Sequence, residues 1–370
     1  MNRHPLRQIY FYLTEGCNLK CRHCWLSPPY QTEKTIFSML SFDLMKEIIL
    51  QAIPLGLSAV KLTGGEPLMH PDITEILSFL RAKNLRMILE TNGVLITDEI
   101  AEAISLSPSP FVSVSLDGVS ADTHESVRGV TGSFDKTIEG IGLLIRKTVP
   151  TQIIMSVMKM NVGQVEKMVH LAERLGAESV KFNLIQPIKR GLVLHEKGES
   201  LTIEEMIDLG RFVEEILAPG TPLRLDYDHP MAFRPLGKLF GETGDGCGAC
   251  GIRSILGVLS DGSYALCGIG MNIPDMRFGH GATDSLSHVW ESSRVLNEIR
   301  SALPGKLEGV CGACLMKALC LGGCLAQNYS ANGSLFGPFW FCDLAHREAL
   351  FPETRLIPGR INMREIKNMV

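Results

Sequence analysis

Over roughly its first 200 residues the chain alternates short apolar runs with longer amphipathic stretches, and this alternation restricts the fold more than any other feature. Candidate strands are RQIYFYLT (7–14), SAVKLTG (58–64), LRMILETN (85–92), FVSVSLD (111–117), TQIIMSVMK (151–159) and SVKFNLIQ (179–186). Between them lie helical stretches such as 41–56 and 161–176. In the latter, Val162, Val165, Met168, Val169 and Ala172 make one apolar face at helical spacing. Gly56 and Gly176 fall where helix C-caps are expected. Six β-α repeats predict an α/β fold with a parallel sheet and helices packed outside it. Glycine-rich and polar residues gather at the C-terminal ends of these strands, where parallel sheets and barrels place their sites. The pattern alone leaves a doubly wound sheet and a barrel both open.

From about residue 200 the rhythm changes. SLTIEEMIDLGRFVEEILA (200–218) reads as a further amphipathic helix with Ser200 or Thr202 as N-cap. Pro219, Pro222, Pro230 and Pro235 then mark an irregular connector, and the region beyond is rich in glycine and cysteine, with short strands in SILGVLSDGSYALC. The expected division is a β/α body at 1–217, a connector at 218–245, a cysteine-rich domain at 246–350 and a tail at 351–370 to which no role is assigned. A formal charge of -4 gives no basic surplus for nucleic acid, and no run of about 20 apolar residues could span a membrane. MNRHPLRQ lacks the apolar core of a signal peptide, so a cytoplasmic location is the default expectation.

Eleven cysteines lie in two groups, three at 17–24 and eight at 247–342. A reducing compartment disfavours structural disulfides and favours metal or redox roles. The stretch TEGCNLKCRHCWLS holds Cys17, Cys21 and Cys24 at CX3CX2C on the loop after the first strand. Three readings compete: zinc, a disulfide with a spare thiol, or an iron–sulfur cluster with one open iron. A structural zinc site usually takes four ligands, and His23 directly precedes Cys24, which would strain it as the fourth. A [4Fe–4S] cluster on three thiolates leaves one iron open to a small molecule.

CX3CX2C, followed by GGEP (64–67) after the second strand, TNG at the third and SLDG at the fourth, resembles the radical S-adenosylmethionine (SAM) superfamily over nearly the whole chain. The resemblance implies a partial (β/α)6 barrel whose first cluster, on Cys17, Cys21 and Cys24, binds SAM. It assigns Gly64, Gly65 and Glu66 to the amino group of the bound methionine, Ser115 to the ribose with Asp117 near it, and Asn92 to the same site at the end of the third strand. Arg128, in DTHESVRGVTGSFD, matches an arginine that reaches the cofactor carboxylate, a group that a guanidinium can meet with two parallel hydrogen bonds. His23 departs from the Tyr or Phe common before the third cysteine.

CGACLMKALCLGGC gives Cys311, Cys314, Cys320 and Cys324 at CX2CX5CX3C, with Cys342 beyond. Upstream lies CGAC (247–250), with Gly262 four residues before the next cysteine in GX4C. This pattern resembles the SPASM domain, a C-terminal extension of some radical SAM enzymes, made of short strands and helices around two auxiliary clusters. Carried over by position, Cys247, Cys250, Cys267 and Cys324 would hold one [4Fe–4S] cluster and Cys311, Cys314, Cys320 and Cys342 the other, three clusters in all. Two zinc ribbons are the alternative.

The resemblance implies reductive cleavage of SAM to a 5′-deoxyadenosyl radical that abstracts a substrate hydrogen. SPASM-bearing members mostly modify ribosomally made peptides, giving cross-links, thioethers, desaturations or epimers. The expected partners are therefore a precursor peptide and an external electron donor such as a flavodoxin or ferredoxin. Only 16 residues precede Cys17, so leader recognition is expected to use a separate leader-binding protein or another surface. Oxidation of a small molecule or tetrapyrrole is the alternative. Sulfatase-type maturation ranks lower, because the aspartate expected after the GX4C cysteine is Gly268 here, and a non-enzymatic iron–sulfur carrier would not need GGEP and Arg128. Asp226, Asp228, Lys189 and Arg190 are read as solvated surface groups, and no general base is assigned.

Overall fold

The computed structural model describes residues 4–241, 250–268 and 273–359. Ten strands form one sheet: β1 (Gln8–Thr14), β2 (Ala59–Gly64), β3 (Arg86–Thr91), β4 (Phe111–Ser115), β5 (Thr151–Val157), β6 (Ser179–Leu184), β7 (Arg224–Tyr227), β8 (Ile255–Val258), β9 (Ser263–Ala265) and β10 (Arg277–His280). Their order is β10-β9-β8-β1-β2-β3-β4-β5-β6-β7. Strands β1 to β7 are parallel in consecutive order. A doubly wound sheet reverses direction at a switch point, and this one does not. Parallel strands stepping one way, with the right-handed crossovers that such units favour, put the helices on one face and leave the other lining a lumen. This is the partial (β/α)6 barrel arrangement, open at β7 and β10.

The two faces differ in chemistry, as the period of two along each strand requires. Ile9, Phe11, Val60, Leu62, Met87, Leu89, Val112, Val114, Ile153, Met155, Val180 and Phe182 are fully buried. Removing each such side chain from water contributes about 1.5–3 kcal/mol. The covering helices are α1 (Phe42–Ala52), α2 (Ile73–Ala82), α3 (Asp98–Ser105), α4 (Ala121–Arg128), α5 (Ser133–Arg146) and α6 (Val165–Leu175). On α6 the expected stripe is observed, with Val165, Met168, Val169 and Ala172 buried. Gly56 and Gly176 both adopt left-handed φ at helix ends, +105° and +85°. The opposite sheet face carries Tyr10, Lys61, Glu90, Ser113, Gln152 and Lys181. Lys61 pairs with Glu90, and Gln152 Nε2 donates to Ser179 Oγ at 3.2 Å.

The chain forms two compact units. The first comprises Met1–Leu201, Val213–Asp228 and Ser254–Ser293, and the second Thr202–Phe212, His229–Arg253 and Arg294–Val370. This division runs differently from the boundaries drawn on the sequence. Two runs of chain beyond residue 217 return to the first unit because their backbones complete its sheet. β7, inside the expected connector, pairs with β6, and β8, inside the expected cysteine-rich domain, pairs with β1. The amphipathic helix also shortens. After α7 (Arg190–Glu196), α8 spans Ile203–Arg211, opened by a capping box between Thr202 and Glu205, and gives way to a π-helical segment at Phe212–Leu217. Among the described residues no helix is long and apolar enough to cross a membrane.

Candidate active site

The polar segments meet at the C-terminal ends of β1 to β6 in the first unit. Cys17 and Cys21 are buried on the loop after β1, with Cys24 partly buried, and all three are free thiols, which removes the disulfide reading. Cys17 and Cys21 pack with Leu19, against Val94 and Val130. Several donors face the sulfurs, among them the Leu26 and Ser27 backbones at Cys24. Leu19 N donates to Cys17 Sγ at 3.4 Å, Asn92 Nδ2 lies 4.0 Å from the same atom, and Arg128 Nη1 reaches Cys21 Sγ at 3.5 Å. Burial and nearby Glu66 push the Cys17 thiol up to about 12. A set of buried thiols with N–H groups turned on their sulfurs is suited to an iron–sulfur cluster. His23 Nδ1 is buried beside them with no hydrogen-bond partner, and burial pulls its imidazole down to about 4, so the ring is neutral.

Within the chain itself, the GGEP segment packs against the backbone of the cysteine loop. A Cβ on Gly65 would lie 2.0 Å from Gly16 O, and one on Gly64 2.6 Å from Thr14 O. The glycines thus let β2 press against the backbone of the cysteine loop. Gly65 N donates to Thr14 O at 2.9 Å and Glu66 N to Gly16 O at 3.0 Å. The Glu66 carboxylate is buried and accepts from Leu68 N at 3.1 Å, Thr91 Oγ1 at 2.6 Å and Asn92 N at 2.8 Å. It ties β2 to β3. Asn92 in turn donates from Nδ2 to Asn18 Oδ1 at 2.7 Å, linking β3 to the cysteine loop.

Ser115 ends β4 on the lumen face, and Asp117 lies two residues on, fully buried. Asp117 meets Arg128 Nε at 2.8 Å as an ion pair, lies 3.8 Å from His23 Nε2, and accepts from Ser156 N at 2.8 Å. The guanidinium is the main influence holding the Asp117 carboxyl below its ordinary range against burial. His124 Nδ1 accepts from Asp117 N, and burial pulls this ring down to about 4 as well. Arg128 therefore stands between Asp117 and Cys21, and the structure brings Cys17, Cys21, Cys24, Gly64, Gly65, Glu66, Asn92, Asp117 and Arg128 into one connected network.

In the second unit, Cys311, Cys314, Cys320 and Cys342 line one cavity with Pro230, Met316 and Phe351. Phe339 N donates to Cys311 Sγ at 3.3 Å and Met316 N to Cys314 Sγ at 3.3 Å. Cys342 shares a hydrogen bond with Cys311 that draws the Cys311 thiol down and pushes its own up. Among the described residues no three His, Cys, Asp or Glu side chains close on a point that would hold a single metal ion. Cys250 is exposed, Cys267 follows β9 in the first unit, and Cys324 caps the helix Leu325–Asn332 in the second. Cys247 lies outside the described residues.

Residues 11–172 match the model of the radical SAM superfamily. The AdoMet-dependent heme synthase of Methanosarcina barkeri is 31% identical over 348 residues, covering 91% of this chain and 96% of that protein. The chain belongs to the radical SAM superfamily. It is an enzyme, and membership implies a [4Fe–4S] cluster and SAM. Mycofactocin maturase MftC of Mycobacterium tuberculosis is 28% identical over 348 residues, covering 94% of this chain and 85% of its own. Among solved structures, Streptococcus suis SuiB bound to S-adenosylmethionine superposes with a TM-score of 0.71 at 18% identity, over 92% of this chain and 77% of its own. anSMEcpe with bound AdoMet also reaches 0.71, at 20% identity over 99% and 96%. These two likenesses speak to the radical SAM fold.

Of the two residues set aside in the sequence, Arg190 belongs to this site, while Lys189 is exposed as expected and lines a cavity beside it. Arg190 donates from Nη1 to Cys21 O and from Nη2 to Pro28 O, both at 3.2 Å, so it is a clamp rather than a solvated charge. Lys189 lines a cavity of about 170 Å³ shared with Gly64 and Gly65. Their place just past a strand end was the only signal in the sequence.

Proposed function

We propose that this chain is a radical SAM/SPASM maturase that abstracts a hydrogen atom from a ribosomally made peptide, leaving a cross-link, thioether, desaturation or epimer. The observation that carries this reading is the convergence of three free buried thiols, the Gly64–Gly65 strand end and Arg128 at the C-terminal mouth of a six-strand β/α array. In this reading Cys17, Cys21 and Cys24 hold the SAM-binding cluster, and Arg128 and Leu19 N support its sulfurs. Asn92, Ser115 and Asp117 border the cofactor. Cys311, Cys314, Cys320 and Cys342 hold one auxiliary cluster, supported by the cavity they share. Cys247, Cys250, Cys267 and Cys324 hold the other. When bound, the first cluster and SAM supply reductive cleavage of a C–S bond and removal of a substrate hydrogen atom.

The protein's own residues orient and seal. Glu66 fixes the β2 and β3 ends against each other, and Asp117 fixes the Arg128 guanidinium beside Cys21. The neutral rings of His23 and His124 fill the space around that pair without adding charge. A peptide substrate is supported by the maturase MftC among the relatives and by the solved complex of SuiB with its precursor peptide SuiA. An external flavodoxin or ferredoxin is the expected electron donor.

A tetrapyrrole substrate is the second reading, favoured by the heme synthase relative matched over almost its whole length. The deciding experiment is anaerobic reconstitution. It reads iron per chain, expected at about twelve for three [4Fe–4S] clusters, and 5′-deoxyadenosine release from SAM under dithionite. It is followed by intact mass of a neighbouring encoded peptide after co-expression in H2O and D2O. Loss of a hydrogen pair signals oxidation, and solvent deuterium at a non-exchangeable carbon signals epimerisation. An unchanged peptide together with oxidation of a supplied propionate-bearing tetrapyrrole would replace the first reading by the second. Failure to release 5′-deoxyadenosine would end both.

A further inference from the structure

The cavity at the mouth of the first unit holds two non-glycine residues in the left-handed region, Ser27 and Lys189, each at φ +53°. Lys189 is the sharper case, with ψ at -122°. Gly191 N donates to Ile188 O at 3.0 Å, which makes Lys189 the second residue of a four-residue turn. Its angles are those of a type II′ turn, where that position belongs to glycine because a Cβ is crowded there. Such a residue is strained and persists only where its surroundings over-determine it. The surroundings are visible. A Cβ on Gly191 would lie 2.1 Å from Gln186 O, so the turn is closed tightly behind Lys189. In front of it the Arg190 guanidinium is clamped to Cys21 O and Pro28 O.

The cavity wall has a consistent chemistry. Lys189 supplies the cation. Tyr12 supplies a buried phenol whose oxygen accepts from Gly268 N at 2.7 Å, so its own hydrogen is left to donate. Burial keeps that phenol protonated, well above its usual range. The hydroxyl of buried Ser260 adds a further donor. Lys189 and the one carboxylate of the wall, Glu15, are both exposed, and Glu15 Oε2 accepts from Ser38 N at 3.3 Å.

We infer that Lys189, with the Tyr12 and Ser260 hydroxyls, forms a subsite for a carboxylate of the substrate, and that the Arg190 clamp and the strained turn hold the ammonium there. The inference rests on the proposed radical SAM reading, in which substrate enters at the strand ends. The carboxylate belongs to an acidic peptide side chain or terminus, or to a propionate of a tetrapyrrole.

The test uses the reconstituted enzyme with SAM and two probes. One is an end-blocked octapeptide rich in glutamate, paired with its glutamine counterpart. The other is a porphyrin bearing four propionates. Binding is read by fluorescence for wild type, Lys189→Met, Lys189→Gly and Tyr12→Phe. The expected result is tighter binding of one carboxylate probe to wild type, weakened about 10- to 100-fold in Lys189→Met, the range for a hydrogen bond to a charged group. Which probe responds identifies the source. Lys189→Gly is expected to weaken binding likewise while raising the anaerobic unfolding midpoint by about 2 °C, because glycine relieves the turn. That combination separates a side-chain role from a fold defect.

Unchanged affinity for both probes in Lys189→Met overturns the inference, as does failure of both to bind wild type. A matching loss of SAM affinity in Lys189→Met also overturns it, since the carboxylate would then be the cofactor's. Release of 5′-deoxyadenosine by wild type is measured alongside, so the subsite can fail while the radical reading stands.

Discussion

Glu66→Gln distinguishes a residue that serves the cofactor from one that holds the site together. The carboxylate accepts three donors from the protein itself, Leu68 N and Thr91 Oγ1 on Oε1 and Asn92 N on Oε2. A glutamine keeps one acceptor oxygen and turns an NH2 group toward the other side. With its oxygen toward Leu68 and Thr91, its NH2 faces the Asn92 N–H, so one hydrogen bond is lost and two donors confront each other in a fully buried place. Leaving a buried donor unsatisfied costs about 1–3 kcal/mol, so the variant should lose about 2–3 kcal/mol of stability, or about 3–4 °C in unfolding midpoint for a chain of this length. The pH dependence has a definite sign. Burial raises the Glu66 carboxyl to about 7, above the ordinary 4.5. The folded state therefore holds a proton that the unfolded state gives up between those values, and the wild type loses stability as pH rises from 4.5 to 7. Its advantage over the pH-insensitive glutamine should narrow across that window and level off above it. The assay is thermal unfolding of the cluster-free protein under anaerobic reducing conditions at several pH values, with no SAM present. Wild-type and variant midpoints within about 1 °C of each other at every pH would refute the reasoning and return Glu66 to a role toward the cofactor alone.

Two further outcomes follow from contacts at the same end of the sheet. A Cβ on Gly268 would lie 2.1 Å from Tyr12 Oη, so Gly268→Ala should destabilise by about 3 kcal/mol, the upper end for overpacking, and should cost much less when added to a Tyr12→Ala chain than to wild type in thermal unfolding. Asp117→Asn leaves the buried Arg128 charge uncompensated and should cost about 3–5 kcal/mol in denaturant unfolding, whereas a loss under about 1 kcal/mol would mean the pair contributes little.

What could be read in the sequence was what periodicity and spacing report. The six strands of the β/α array, the apolar stripe of α6 and the Gly56 and Gly176 caps come from side chains repeating at fixed intervals, and each stands within a few residues of its expected place. The choice of a barrel-like array over a doubly wound sheet came from the motif resemblance and not from periodicity, because strand order is a property of crossovers and leaves no trace in a strand's own pattern. The domain boundary was masked for a related reason. β7 and β8 are four residues each, too short to show alternation, and they join the first unit through backbone pairing with β6 and β1.

The site divides along the same line. Residue types needed for chemistry, thiols above all, announced themselves by spacing. Partners did not. Gly64 and Gly65 were legible as places of close approach, but what approaches them is the chain's own Thr14–Gly16 backbone, which no side-chain motif encodes. Arg190 was taken for a solvated charge because its acceptors are two main-chain carbonyls, Cys21 O and Pro28 O, present at every residue and marked at none. Gly268 shows the converse. The sequence registered a missing aspartate there, and the structure shows what fills the space instead: the Tyr12 ring lies where a side chain would stand.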